Sequence, residues 1–525
     1  MYALTVAFAS GVPPPTCRVV PPGTSTSPLR VSRFPPPPPP PPQPNSDSAA
    51  SAARHTPHHA RETLCCRNEN LMLANLLLSE PHVLRKYSHY PIIGTCAGFH
   101  KGRMFAKKSQ KWYPFGASQW RKEAVLLRAK VSIAGYYFLL FAAVAFTHPF
   151  FPVFLRERGF SYGQVGAVLS VFSLTGAVAS ILLGWRSDQA RRRRRYIIGT
   201  MLVGAAGYVL FPYVHSFGVA LLLAAVIGGC IMSSQSVMMA LVVDLFRHQG
   251  TAGSFGQLRV FGTIGYLLVL LTLVLWQNSP LLEPSRMFSS VALLLALSAL
   301  VVLLAPEKPE EVEESAHLTV NEVVYLLHRR DIALYIVAHF CFVGALMTAT
   351  ANLSLYLQWM QASKPFISLA YMTSALFEMP FMIAMGKLSD RIGRTRVLAI
   401  AFIALPVRLL LLTLFRAPVP VLLTQTMHGL TFSIITAVSM AFIADRVEPR
   451  LRASGQGLLM AAASLASATM PVVAGLIADA WGLPALYGTL LALSLIGAGV
   501  FFTLARQTAP AEASMRVAAQ TGGQA

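Results

Sequence analysis

From residue 131 onward the chain alternates long apolar runs with short polar breaks. Twelve runs predict helices at roughly 132–155, 161–184, 196–213, 217–245, 256–276, 286–305, 332–359, 366–386, 397–415, 419–444, 455–478 and 484–505. At ~1.5 Å per residue, each is long enough to cross ~30 Å of hydrocarbon. The longest polar break, 307–331, carries Glu310, Glu311, Glu313 and Glu314 and divides six runs from six. The pattern predicts an all-α membrane protein with two six-helix halves, 131–305 and 332–505. A linker at 306–331 joins them, and a tail follows at 506–525.

Composition agrees with the pattern. Apolar residues make up 54% of the 525 positions, charged residues 12%, and mean hydropathy is +0.54. Soluble domains carry about 25% charge. The net charge of +21 would suit a nucleic-acid binder, but its distribution rejects that reading. Residues 1–130 hold 17 Lys/Arg against 5 Asp/Glu, and the remainder clusters in alternate loops. Arg186 and Arg191 to Arg195 follow the second span, Lys387, Arg391, Arg394 and Arg396 the eighth, and Arg446, Arg450 and Arg452 the tenth. The positive-inside rule then expects both termini and the linker on the cytoplasmic side of the cell membrane.

Residues 1–130 are compositionally separate. The proline run at 35–42 favours an extended polyproline conformation without a packed core. The apolar stretches at 2–9 and 71–78 are too short to span a bilayer. A disordered cytoplasmic tail, an organelle transit segment and residues upstream of the true start all fit this leader. The six cysteines show no metal-ligand spacing. No phosphate loop or nucleophile elbow occurs, so neither a cofactor, a metal nor an enzyme is expected.

The two halves share an internal repeat. Gly184 and Asp188 close the second span, and Gly386 and Asp390 close the eighth, both at an offset of 202. Gly256–Gln257 and Gly455–Gln456 recur at 199. Duplicated halves with a site between them are a common transporter plan.

The string Gly386-Lys-Leu-Ser-Asp390-Arg391-Ile-Gly393-Arg394 resembles the signature of the major facilitator superfamily after its eighth helix. Gly184 and Asp188 keep the first copy, with Gln189 and Arg191 departing from it. Within that superfamily the chain is similar to the proton symporters grouped around lactose permease and phenylpropionate permease. His148-Pro-Phe-Phe-Pro closes the first span, and Gly256-Gln-Leu-Arg259-Val-Phe-Gly262-Thr-Ile-Gly265-Tyr266 opens the fifth. Glu378-Met-Pro380 lies on the eighth, Arg408 on the ninth, and Gln425-Thr-Met-His428 on the tenth. The resemblance implies a monomeric secondary transporter carrying a small molecule with protons. Two departures put a sugar-type site in doubt. Leu241 stands where the family has an acid on the fourth helix, and Gln257 stands for its first basic residue on the fifth.

The buried polar groups supply the candidate chemistry. A carboxylate in mid-span needs a cationic partner or water, or it stays protonated. Glu378 is therefore either a proton carrier, with Arg408 and His428 as its network, or half of a structural ion pair. Arg408 cannot deprotonate, so it can only pair or bind an anion. Arg259, Tyr266, Asn352, Gln425, His148 and Gln235 are candidate solute ligands, although interhelical hydrogen bonds explain such residues as well. Gly184, Asp188, Asp244, Gly386, Asp390, Arg391 and Arg394 are candidate gate residues. Gly386 is expected to allow close helix packing, and Asp244 is an alternative partner for Arg259. Proton-coupled symport is the leading reading. A drug efflux antiporter and a non-transporting sensor are the alternatives, and the missing proline in the fifth span counts against the former.

Overall fold

The structure is a computed structural model that describes residues 115–190, 192–246, 252–276, 279–306 and 320–521. The proline run, the two short apolar stretches of the leader and the four linker glutamates lie outside these residues.

Apolar runs in hydrocarbon become helices because only a helix satisfies every backbone N–H and C=O within one segment. The first half consists of α1 (Phe115–Glu157), α2 (Tyr162–Ala190), α3 (Arg193–Leu210), α4 (Phe217–Phe246), α5 (Ala252–Leu275) and α6 (Pro284–Val302). A short helix, Val320–His328, precedes the second half and donates no span; its Glu322 accepts from Ser454 Oγ at 2.7 Å. Then come α7 (Arg330–Ala351, resumed as Leu353–Trp359), α8 (Lys364–Ile392), α9 (Arg394–Leu414) and α10 (Pro418–Arg446). The last element, Arg452–Thr521, is bent at Gly482 (φ 81°, ψ 169°). Its two arms are α11 and α12. Among the described residues eleven helices are long and apolar enough to cross a membrane, and the last of these, bent at Gly482, is long enough to cross twice, which agrees with the twelve spans expected.

Three boundaries differ from the pattern. α1 starts at Phe115 rather than near 132, and the final helix runs to Thr521 rather than ending near 505. The seventh span breaks at Asn352 (φ −97°, ψ 1°). Its side chain bonds back to Thr348 O at 2.9 Å, and the carbonyls freed by the break accept other partners. Tyr487 donates to Ala349 O at 3.0 Å and Tyr371 to Thr350 O at 2.7 Å.

Packing repeats in both halves: α2 lies on α4 and α1 on α5, as α8 lies on α10 and α7 on the last helix. Phe151, Phe154, Phe211 and Phe288 fill one core, and Phe342, Phe402 and Phe501 the other. The halves meet along α2 with α11 and α5 with α8. The two ends of this seam differ. Away from the basic loops the backbones almost touch: a Cβ on Gly166 would clash with the Pro471 carbonyl, and one on Gly475 with the Tyr162 carbonyl. Asp479 of α11 accepts from Ser161 Oγ and from the backbone N–H groups of Tyr162 and Gly163, each at 2.7 Å. One half thus caps the first turn of a helix in the other. Lys364 pairs with Glu157 at 3.5 Å on the same end.

Candidate solute-binding cavity

At the basic end the seam is open. A cavity of about 1330 Å³ runs from His148 and Phe151 deep between the halves to Asp390, Arg394, Asp445 and Arg452 at its mouth. Of the expected solute ligands, His148, Gln235, Arg259 and Tyr266 line it. Asn352 and Gln425 do not: the first closes the break in α7, and the second serves Arg408. Gln235 is 4% exposed, and its Oε1 has no hydrogen-bond partner among the described residues.

Glu378 reaches the cavity from α8, two residues before Pro380, which interrupts the helix hydrogen bonding there. α10 seats that stretch closely. Gly429 leaves room for the backbone of Phe377 and Glu378, and Ser433 Oγ donates to the Glu378 carbonyl at 2.6 Å. The carboxylate then lies 3.6 Å from His428 Nε2. His428 Nδ1 faces the Arg408 guanidinium at 3.2 Å, with Thr350 Oγ1 at 3.4 Å. The other arm of Arg408 donates to Gln425 Oε1 at 3.0 Å, which also accepts from Ser374 at 3.3 Å. Because Nδ1 accepts from an arginine, we assign the neutral ring proton of His428 to Nε2, toward Glu378. The sequence-level set of Glu378, Arg408 and His428 is thus one connected chain. Arg408 is wholly buried behind His428 and does not line the cavity.

Across the cavity, Arg259 lies over the Phe141 ring at 5.7 Å and within electrostatic range of Glu378 and Tyr137. Tyr266 OH meets His148 Nδ1 at 3.2 Å, and the His148 ring stands edge-on to Tyr371 at 5.0 Å. These three rings join α1, α5 and α8, so they bring both halves to one place.

Among the gate candidates, Asp244 does not pair with Arg259 as the alternative reading allowed; it holds Arg193 at 3.1 Å. Arg193 also holds Asp188 at 3.1 Å. In the second half, Arg394 pairs closely with Asp445 and loosely with Asp390 at 3.9 Å. The two triads are related by offsets of 202, 201 and 201, a repeat that would have exposed Arg193 and Asp445 in the sequence. Each triad stays within its own half. Arg391 is exposed and forms no ion pair among the described residues. Gly184 and Gly386 have open space where a Cβ would stand, so Gly386 does not provide the close packing expected of it.

Residues 130–489 match the MFS_1 like family, more than half of the chain. The chain belongs to that family. It is similar to the maltose permease of Geobacillus stearothermophilus, at 23% identity over 377 residues, 71% of this chain and 93% of that one. It is also similar to the quinolone resistance protein NorA of Staphylococcus aureus, at 28% over 134 residues, 25% of this chain and 34% of that one. The solved nucleoside transporter NupG shares the fold with a TM-score of 0.64 at 18% identity, covering 72% of this chain and 98% of that one. A bacterial homologue of the human lysosomal transporter Spinster, solved inward-facing and unoccupied, aligns with a TM-score of 0.56 at 15% identity, over 73% and 97%. The membership makes this family protein a multi-pass membrane protein of the major facilitator transporter type.

Proposed function

We propose that the protein is a proton-coupled symporter that moves a small organic solute by alternating access, with its basic face and both termini cytoplasmic in the cell membrane. The observation that carries this reading is Glu378. It is the one carboxylate lining the deep part of the cavity among the described residues, and it lies between Arg259 of one half and His428 of the other. Only a group that gains and loses a proton can couple transport to a pH gradient, and an arginine cannot. Ionised, Glu378 attracts Arg259 across the cavity; protonated, it loses that attraction. The Glu378–Arg408–His428 arrangement and its likeness to the lactose and phenylpropionate permease group support symport over antiport.

The open basic end and the closed opposite end correspond to one of the two states alternating access needs. We propose that the two Asp–Arg–Asp triads, each paired within its own half here, exchange partners across the basic end when it shuts. NorA supports drug efflux as a second reading, through a match over a quarter of the chain. α5 continues Leu267-Leu-Val-Leu-Leu271 without a proline, which favours the first reading. Purified protein in liposomes with a more acidic exterior tests the proposal. Accumulation of a labelled solute under an inward proton gradient supports symport, whereas extrusion under that gradient supports efflux. No gradient-dependent movement of any solute would leave only the sensor reading.

A further inference from the structure

The wall that α2 and α4 give to the cavity is apolar except at one place. Leu169, Phe172, Ile231 and Met232 line it from these helices, and Gln235 is the one polar residue beside them. Gln235 is 4% exposed, and its Oε1 is buried without a hydrogen-bond partner among the described residues. The polar residues just before it on α4 are satisfied. Ser233 donates to Gly229 O at 2.6 Å. Ser234 donates to Ile231 O at 2.8 Å and so accepts from Tyr136 OH of α1 at 2.9 Å. A buried carbonyl oxygen left unpaired is costly, and a methionine of similar length would fill the same place without that cost.

The backbone at Gln235 is held from two sides. Ser234 ties it to α1. On the other side α4 is pressed onto α2: a Cβ on Gly228 would clash with the Phe172 carbonyl, and one on Gly176 with the Met232 side chain. The amide therefore stands on a rigid base at the cavity wall, and its soft terminal torsion lets the oxygen turn toward a donor there. We infer that Gln235 is a specificity-determining residue: its side-chain carbonyl takes a hydroxyl or N–H of the solute, whose flank toward α2 and α4 is otherwise apolar. This rests on the reading above that the cavity binds a transported solute, and it does not depend on Glu378. The class it points to is a largely apolar molecule with a single donor on that flank. A polyhydroxylated sugar would press further hydroxyls against Leu169, Phe172, Ile231 and Met232, whose side chains cannot pair them. An analogue whose donor is capped by a methyl group leaves Gln235 unpaired and is rejected.

The experiment uses the full chain in nanodiscs and reads its unfolding temperature, first without solute and then with matched pairs. The pairs are indole and N-methylindole, cyclohexanol and cyclohexyl methyl ether, and phenol and anisole, with maltose beside them. The methylated partners control for partition into the lipid. Without solute, Gln235→Met should raise the unfolding temperature, because the unpaired oxygen is gone; a glutamine that served the fold would lower it on removal. In the wild-type chain at least one donor should stabilise at concentrations at least about tenfold below its methylated partner. Gln235→Met should erase that difference, and Gln235→Glu, which keeps an acceptor oxygen, should retain it. Equal action of both members of every pair, a difference that persists in Gln235→Met, stabilisation by maltose alone, or a lower unfolding temperature of solute-free Gln235→Met would overturn the inference. Uptake into liposomes with a more acidic exterior keeps the two proposals apart. A donor discriminated through Gln235 but not accumulated leaves the role of Gln235 standing and retires proton coupling. A solute accumulated no better than its methylated partner, and equally well by Gln235→Met, retires the role of Gln235 and leaves coupling standing.

Discussion

Glu378 and Arg408 differ in one respect that decides the roles proposed for them. The Glu378 side chain is 24% exposed, toward the cavity, whereas Arg408 is sealed behind His428. The first can exchange a proton with water in the cavity; the second can only set the field. Glu378→Gln should therefore keep downhill counterflow of solute and lose uphill accumulation in proteoliposomes. A mutant that still concentrates solute would move the coupling role to His428. Gln425→Leu removes an acceptor from a buried guanidinium without touching the cavity wall. It should lower stability by about 1–3 kcal/mol, read as a fall in unfolding temperature. These charged residues were legible in the sequence because a charge inside an apolar run is costly and must have a reason. Asn352 and Gln425 were less legible. An uncharged polar residue in such a run reads the same whether it faces a cavity, ends a helix or serves a neighbour.

At the scale of helices, the twelve runs located every span, because length and hydropathy alone dictate a helix in hydrocarbon. The break in α7 left no such trace. It depends on Tyr371 and Tyr487, far along the chain, which take up the freed carbonyls. The seam of α2 and α11 was equally invisible, since small residues in an apolar run do not announce their partner. In the proposed cycle, that seam is where opening away from the basic face begins. Gly475→Val would drive a branched side chain into the Tyr162 carbonyl, so it should hold that end open. Cysteine probes near Ser161 should then react faster with a membrane-impermeant reagent, and net transport should fall. Asp479→Ala leaves the first N–H groups of α2 without their cap and should act in the same direction, more mildly. Unchanged reactivity in both variants would mean that this contact does not control the opening.

For the whole molecule, the duplicated plan was readable from two glycine–aspartate pairs at one offset. The second Asp–Arg–Asp triad carries that offset through Arg394 and Asp445 to the cavity mouth. Which end stands open could not be read, because both states share one sequence. The proposed sidedness rests on the basic loops. A single cysteine at Arg192 should resist an impermeant reagent added outside intact cells, and one at Arg158 should react. The reverse pattern would invert the assignment of faces.

The central claim is that solute and proton move together in one direction through Glu378. Proteoliposomes loaded with a pH-sensitive dye, with no gradient imposed, test it most directly. Adding a transported solute outside should acidify the lumen of vesicles carrying the wild-type chain and leave the pH unchanged with Glu378→Gln. Alkalinisation on adding solute, or acidification that persists in Glu378→Gln, would contradict the account.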